Sequence, residues 1–397
     1  MKKIIYILAL LLAFQTSQTI QGQKNDGVAV ERALVTKPSK VGKVDLLNFK
    51  QRHNQCYNKP LDKQDGLLVD NMENVGLDTK KIQQLIAVIG QNNQDWYKDK
   101  TRHANTKKGC VDSFLLLKDG KLVVEEYFAD AAQDKPHFQM SITKSITALA
   151  LGIVLKQGKV KSEHDLILDY LPEVNVNKVP DLVKEIRISH LLSMNSGIRV
   201  NTDYKSVNHC ATDACVPGIL ENCTMLKPGT TYKYQGVDPE ILSHIIYNAT
   251  GKSVEALVAE FLFKEMGIQE YSFQSSPCGL TKTAAGMILT SRGMIKIGQL
   301  VIDRGFWNAS ELINPQWIKK VNTSVVDNGK HQYGYYWWQH KVKAMGKLYE
   351  VKSCRGAQGQ FIFIIPELNS VAVFTSYGTR KPFKYLEEFI VPALAVM

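Results

Sequence analysis

The chain has 397 residues, 44% apolar and 22% charged, a balance that can bury a core and excludes wholesale disorder. At about 150 residues per domain, the length alone predicts two or three domains or one catalytic domain with an inserted lobe. Lys and Arg number 49 against 38 Asp and Glu, and the net +11 raises nucleic acid, anionic membranes and acidic substrates as partners without choosing among them.

The chain opens on basic Met1-Lys2-Lys3, an apolar run over residues 4–14 and a polar stretch with small residues over 16–23. This is the pattern of a secretory signal peptide cleaved near Gly22, so a periplasmic or secreted protein is expected. Eleven apolar residues fall short of the roughly 20 that span a bilayer, and no transmembrane segment is expected after cleavage. With no cysteine in the first 50 residues, a lipoprotein-type anchor is not expected either. Losing Lys2 and Lys3 leaves +9, so the basic excess belongs to the mature chain.

Residues 23–75 read as a polar lead-in extension, and 76–397 as the main domain. Asp78 can cap a helix of about twelve residues in which Ile82, Leu85, Ile86 and Ile89 fall at helical spacing. The apolar runs 114–117 and 122–124 flank Asp119-Gly120, a hairpin signal. Residues 141–156 are apolar on most faces and stop at Gly158, which predicts a buried helix. Further helices are expected at 254–263, 284–304, 315–321 and 382–394. Strands are expected at 333–339 and 360–375, the latter broken into a hairpin by Pro366-Glu-Leu-Asn369. Strands at both ends with a helical middle predict an α+β fold: one antiparallel sheet flanked by helices. Its sheet lobe would take 76–150 and 331–397, with a mostly helical lobe, 151–330, inserted.

Ser141-Ile-Thr-Lys144 is the only Ser-x-x-Lys in the chain. At a helix start the i, i+3 spacing sets both side chains on one face, where an amine could take the hydroxyl's proton. To act as a base near neutrality, Lys144 must drop from a usual pKa of about 10.4 by roughly 3 pH units, at about 1.4 kcal/mol each. Burial supplies such a shift, and the helix it opens is apolar enough to bury it. The stretch 228–236, Pro-Gly-Thr-Thr-Tyr-Lys-Tyr-Gln-Gly, places Tyr232 and Tyr234 in a turn that could deliver a phenol to a cleft or only aromatics to a core. Ser353-Cys354-Arg355-Gly356-Ala357-Gln358-Gly359-Gln360 leads into a strand, and its glycines would let a substrate approach a backbone N–H.

Taken in order, His137-Phe-Gln-Met-Ser141-Ile-Thr-Lys144, Tyr170-Leu-Pro172, Ile188-Ser-His190-Leu-Leu-Ser193-Met-Asn-Ser196-Gly197, the Pro-Gly-Thr-x-Tyr-x-Tyr stretch, Tyr333-Gly-Tyr-Tyr-Trp-Trp338 and Gly356-x-x-Gly359-Gln360 resemble one family. It is the serine hydrolases related to class C β-lactamases and D-Ala-D-Ala carboxypeptidases, in the branch of aminohexanoate-dimer hydrolases and carboxylesterases. The resemblance implies an exported serine hydrolase that cleaves a small ester or amide through an acyl-enzyme, with no cofactor, metal or nucleic-acid partner. Ser141 would be the nucleophile, Lys144 its proton acceptor and Tyr234 a general acid/base. Ser141 and Ala357 would offer the oxyanion N–H groups. Arg355, Gly356, Gln360 and, more remotely, Tyr204 would contact substrate.

Gly236 stands where the family has Asn or Ser, and Cys354 where its strand motif has Lys or His. Both departures weaken β-lactam recognition more than acyl transfer. The alternatives are a non-catalytic envelope binding protein and a β-lactamase or D-aminopeptidase.

Gly251-Lys252-Ser253 lacks the first glycine of a phosphate loop and reads as a helix end followed by a new cap. In an exported chain, Cys210, Cys215 and Cys223 lie close enough for one or two disulfides and Cys56 could join Cys110. Seven cysteines leave one over, Cys354 or Cys278.

Overall fold

The computed structural model describes residues 57–98, 109–128, 131–200, 216–276, 278–327 and 332–396. The expected signal peptide, most of the expected lead-in, Tyr204, Cys56, Cys210 and Cys215 lie outside the described residues. The described residues belong to one compact unit.

Its centre is a nine-stranded sheet. In chain order the strands are β1 (Leu68–Val69), β2 (Cys110–Lys118), β3 (Lys121–Tyr127), β4 (Val326–Asp327), β5 (Gln332–Tyr333), β6 (Trp338–Ala344), β7 (Lys347–Gly356), β8 (Gln360–Ile365) and β9 (Ser370–Tyr377). Their order across the sheet is β1-β3-β2-β9-β8-β7-β6-β5-β4, antiparallel except for the parallel pair β1 and β3. The β2–β3 hairpin turns at Asp119-Gly120, both at positive φ. The chain ends meet at β2 and β9, with Phe114 opposite Phe374.

Both faces of this sheet are covered, so its central strands read as continuous apolar runs rather than an alternation. Leu115, Leu117, Ile362 and Val373 face one core, and Phe114, Leu116, Phe361 and Phe374 the other. On the second face lie α1 (Thr79–Lys98) and the C-terminal helical stretch from Lys381 to Leu394. Asp78 accepts the Lys81 N–H at 3.0 Å, the expected cap, though α1 runs 20 residues rather than twelve. On the first face lie α2 (Ile142–Lys156), α3 (Val237–Thr250) and α4 (Ser291–Ile302). Helix α2 is buried from Ile142 to Val154, the all-round burial its composition demanded.

Three departures from the sequence reading have local causes. The helix expected over 284–304 is a short strand, Met287–Leu289, followed by α4, because Met287–Leu289 pairs with Tyr271–Phe273 and Thr290 caps α4 by accepting the Gly293 N–H. The strand expected over 333–339 breaks after Tyr333, with Tyr336 at φ 65°. The end of the lead-in is folded: β1 pairs with β3, and Asp65 joins Arg292 at 3.0 Å. Gly251 closes α3 at φ 72° and Ser253 caps the next helix, as expected of that phosphate-loop lookalike.

Cys223 and Cys354 are buried free thiols, which corrects the share of Cys223 in a loop disulfide, and Cys278 is disulfide-bonded, which removes it as the cysteine left over. Both thiols are packed in the hydrophobic interior.

Candidate active site

Ser141 occupies the first turn ahead of α2, and the residue before it, Met140, is held at φ 51°. A left-handed backbone at a non-glycine residue is strained, and its neighbours over-determine it. The Thr143 hydroxyl donates to the Met140 carbonyl at 2.6 Å and accepts the N–H groups of Gly286 and Met287 at 3.1 Å. Gln139 donates to the Leu289 carbonyl at 3.0 Å. The turn bearing the hydroxyl is thereby riveted to the strand Met287–Leu289.

One turn along α2, the Lys144 side chain returns to the same face. Its Nζ lies 3.0 Å from Ser141 Oγ and donates to the Ala284 carbonyl at 2.5 Å. Lys144 is only 4% exposed, and burial lowers its pKa to about 8 against the opposing charge of Glu240. About a tenth of the amine is therefore neutral at pH 7, enough for a base. Glu240 is buried on α3 and accepts the Ala284 N–H at 2.8 Å, so the carboxyl and the amine are held by the two backbone groups of one residue.

Tyr234 enters from the turn before α3. The Lys144 ammonium stands 5.1 Å from its ring centroid, and Tyr333 and Trp338 pack against it at 6.0 and 5.5 Å. Crowding at the hydroxyl raises the phenol's pKa, and a hydrogen bond with Ser141 draws it back. One flank of the side chain is open, with 39% exposure.

Ser141, Tyr234, Trp338, Arg355, Gly356 and Ala357 line one cavity of about 550 Å³. Gly356 ends β7 where a Cβ would stand 2.4 Å from the Gln139 carbonyl, so only glycine lets the strand meet the nucleophile turn. Arg355 is sandwiched between Trp338 and Phe383 at 5.0 and 4.9 Å, donates to Ser353 Oγ at 2.9 Å, and has its pKa lowered by burial to about 10.

Gln360 does not line this cavity. It is fully buried, and its amide is spent on the backbone of Ser376, donating to the carbonyl at 2.6 Å and accepting the N–H at 3.3 Å. It ties β8 to β9 rather than contacting substrate. Cys354, at the position of the family's cation, points away from solvent toward Ser145, and burial pushes its thiol pKa up.

The sequence reading missed Glu240, Ala284 and the strain at Met140. Glu240 falls in a first helical turn, where acidic residues are ordinary, so nothing set it apart. Trp338 appeared only as part of an aromatic block.

A β-lactamase family model matches residues 109–395, well over half of the chain. The 6-aminohexanoate-dimer hydrolase of Paenarthrobacter ureafaciens is 23% identical over 293 residues, covering 66% of this chain and 72% of that protein. Among solved structures, a Bacillus anthracis chain described provisionally as a 6-aminohexanoate-dimer hydrolase superposes with TM-score 0.62 at 18% identity, covering 90% of this chain and 98% of its own. A family VIII carboxylesterase superposes with TM-score 0.57 at 15% identity, covering 76% and 97%. With the Ser-x-x-Lys pair, the tyrosine and the end of β7 converging on one cavity, this chain belongs to the β-lactamase family of serine hydrolases.

Proposed function

We propose that this hydrolase cleaves a small ester or amide through an acyl-enzyme on Ser141. The observation that carries the reading is the buried Lys144 amine at 3.0 Å from Ser141 Oγ, with its pKa drawn down to about 8. Neutral Lys144 takes the hydroxyl proton as Oγ bonds to the substrate carbonyl carbon. The carbonyl oxygen becomes an oxyanion within reach of the Ser141 and Ala357 N–H groups. Its collapse breaks the bond to the alcohol or amine, which leaves with the proton relayed through Lys144 and Tyr234. Water then attacks the acyl carbon, with Tyr234 and Lys144 taking its proton, and Ser141 is released.

The names of the relatives favour an amide or a carboxylic ester. Gly236 and Cys354 offer no side-chain hydrogen bond where β-lactam recognition would use one, which disfavours that substrate class. Incubation with a fluorophosphonate followed by intact mass tests the reading. One adduct on the wild type and none on Ser141→Ala is expected; no adduct on the wild type, or equal adducts on both, would overturn it. Turnover of p-nitrophenyl esters, short oligoamides, β-lactams and D-amino-acid peptides would then rank the substrates.

The same reading puts the mature chain in the periplasm or outside the cell after loss of residues 1–22. Intact mass of the protein recovered from that fraction would give an N-terminus near Gln23.

A further inference from the structure

Four residues after Tyr234 stands a buried carboxyl that the reaction steps above leave unused. Asp238, in the first turn of α3, is fully buried, and its Oδ1 accepts from Ser196 Oγ at 2.7 Å and from Gln235 Nε2 at 2.9 Å. Its Oδ2 is buried without a protein hydrogen bond. Taking a carboxyl out of water is costly, so its place needs a reason.

The turn it holds supplies one. Ser196 belongs to the stretch Met194-Asn-Ser-Gly197, where Met194 has φ 57° and Gly197 φ 82°. The Lys233 N–H donates to the Met194 carbonyl at 2.8 Å, and the Gly229 N–H to the Asn195 carbonyl at 2.8 Å. Both chain neighbours of Tyr234 are therefore tied to this turn: Lys233 through its backbone, and Gln235 through the oxygen of Asp238 that Ser196 also uses. Tyr234 itself is open on one flank, so its hydroxyl is placed by the backbone on either side. The charged and titratable groups felt at or around Asp238 are Arg199, Lys233, Tyr333 and Tyr336, and Tyr336 also feels Glu240 and Tyr234.

We propose that Asp238, bridging Ser196 and Gln235, is a positioning residue that holds the Tyr234 hydroxyl at the Ser141–Lys144 pair. This rests on the acyl-enzyme reading above. The test is a double-mutant cycle on turnover of p-nitrophenyl butyrate, with circular dichroism to verify folding. Asp238→Ala should lower kcat about ten- to a hundredfold with KM changed less than about threefold, the loss expected when a reacting group is misplaced by about 1 Å. Asp238→Asn, which keeps an acceptor oxygen for Ser196 and Gln235, should restore most of that loss. On a Tyr234→Phe background the Asp238→Ala change should cost less than about twofold more, because the group it positions is gone.

Equal losses on both backgrounds, or a folded Asp238→Asn as impaired as Asp238→Ala, would overturn the proposal. If Asp238→Ala fails to fold, Ser196→Ala and Gln235→Ala carry the same cycle from the donor side. A wild type that neither turns over ester nor labels with fluorophosphonate defeats the hydrolase reading and this one with it. An active wild type with an additive cycle defeats this one alone.

Discussion

Glu240 Oε1 accepts the backbone N–H of Ala284 at 2.8 Å, and the carbonyl of that same residue takes the Lys144 amine at 2.5 Å. A buried carboxyl on α3 and the base on α2 are thus anchored to the N–H and the carbonyl of one residue, Ala284. The carboxyl's charge also opposes the lowering of the Lys144 pKa that burial produces. The amine is poised by two elements far apart in sequence.

The pH dependence follows from that balance. Neutral Lys144 is the reactive form, and its pKa is drawn down to about 8, so kcat/KM should climb about tenfold per pH unit below 8 and level off above it. Glu240→Gln keeps an acceptor for Ala284 but removes the charge that raises the Lys144 pKa, and the limb should move to lower pH. A pH–rate profile of both proteins checks this; a limb that stays put or moves upward would refute the electrostatic role of Glu240.

Lys144 also links stability to alkaline pH. Its folded pKa lies below the unfolded value of about 10.5, so the unfolded chain binds the extra proton between pH 8 and 10.5 and folding from this group alone strengthens as pH rises through that window. Lys144→Met should remove that rise, measured as urea unfolding at pH 8 and pH 10.

Asp238 works in the opposite sense. Burial raises its pKa to about 7, so the folded chain keeps a proton that the unfolded chain releases from about pH 4 upward. Stability from this carboxyl is lost as pH rises from about 4 to 7, by at most about 4 kcal/mol at about 1.4 kcal/mol per pH unit. Asp238→Asn should be the more stable protein at pH 8 and lose that advantage at pH 4, by denaturant titration.

Gly356→Ala should damage the site through the backbone. Its Cβ would meet the Gln139 carbonyl at 2.4 Å and the Gln360 side chain at 2.8 Å, and neither can give way because Gln139 is itself fully buried. Overpacking of this kind costs about 1–3 kcal/mol. The expected result is a kcat at least about tenfold lower and a melting temperature a few degrees lower, read by steady-state kinetics and calorimetry.

Arg292 should matter for stability alone. Its guanidinium donates to both oxygens of Glu125 at 2.8 Å and to Asp65 at 3.0 Å, with Arg292 and Glu125 almost wholly buried. Arg292→Ala leaves the Glu125 carboxylate buried without its counter-charge, a loss of about 3–5 kcal/mol even though Tyr127 and Gln133 still donate to it. Denaturant unfolding should show it while kcat at low denaturant is unchanged, since Arg292 lies outside the cavity that holds Ser141.

The residues themselves determined much of this protein. The run 141–156 is apolar all round, so it had to be a buried helix, and any lysine in its first turn had to lie near the serine one turn back. The Asp119-Gly120 turn and the runs around it imposed the β2–β3 hairpin, because positive φ at both positions fits few other residues. Family order then carried Tyr234 and the end of β7 to the same site.

Only the tertiary structure decided what surrounds them. Glu240, Ala284 and Asp238 act through contacts with residues tens to over a hundred positions away, and an acidic residue in a first helical turn looks the same whether it faces water or a catalytic amine. Gln360 shows the converse: a position that the resemblance placed beside the substrate lies in the interior, where its amide joins two strands. Local periodicity sets which side chains share a face; which face meets the cleft is settled by the pairing of strands drawn from opposite ends of the chain.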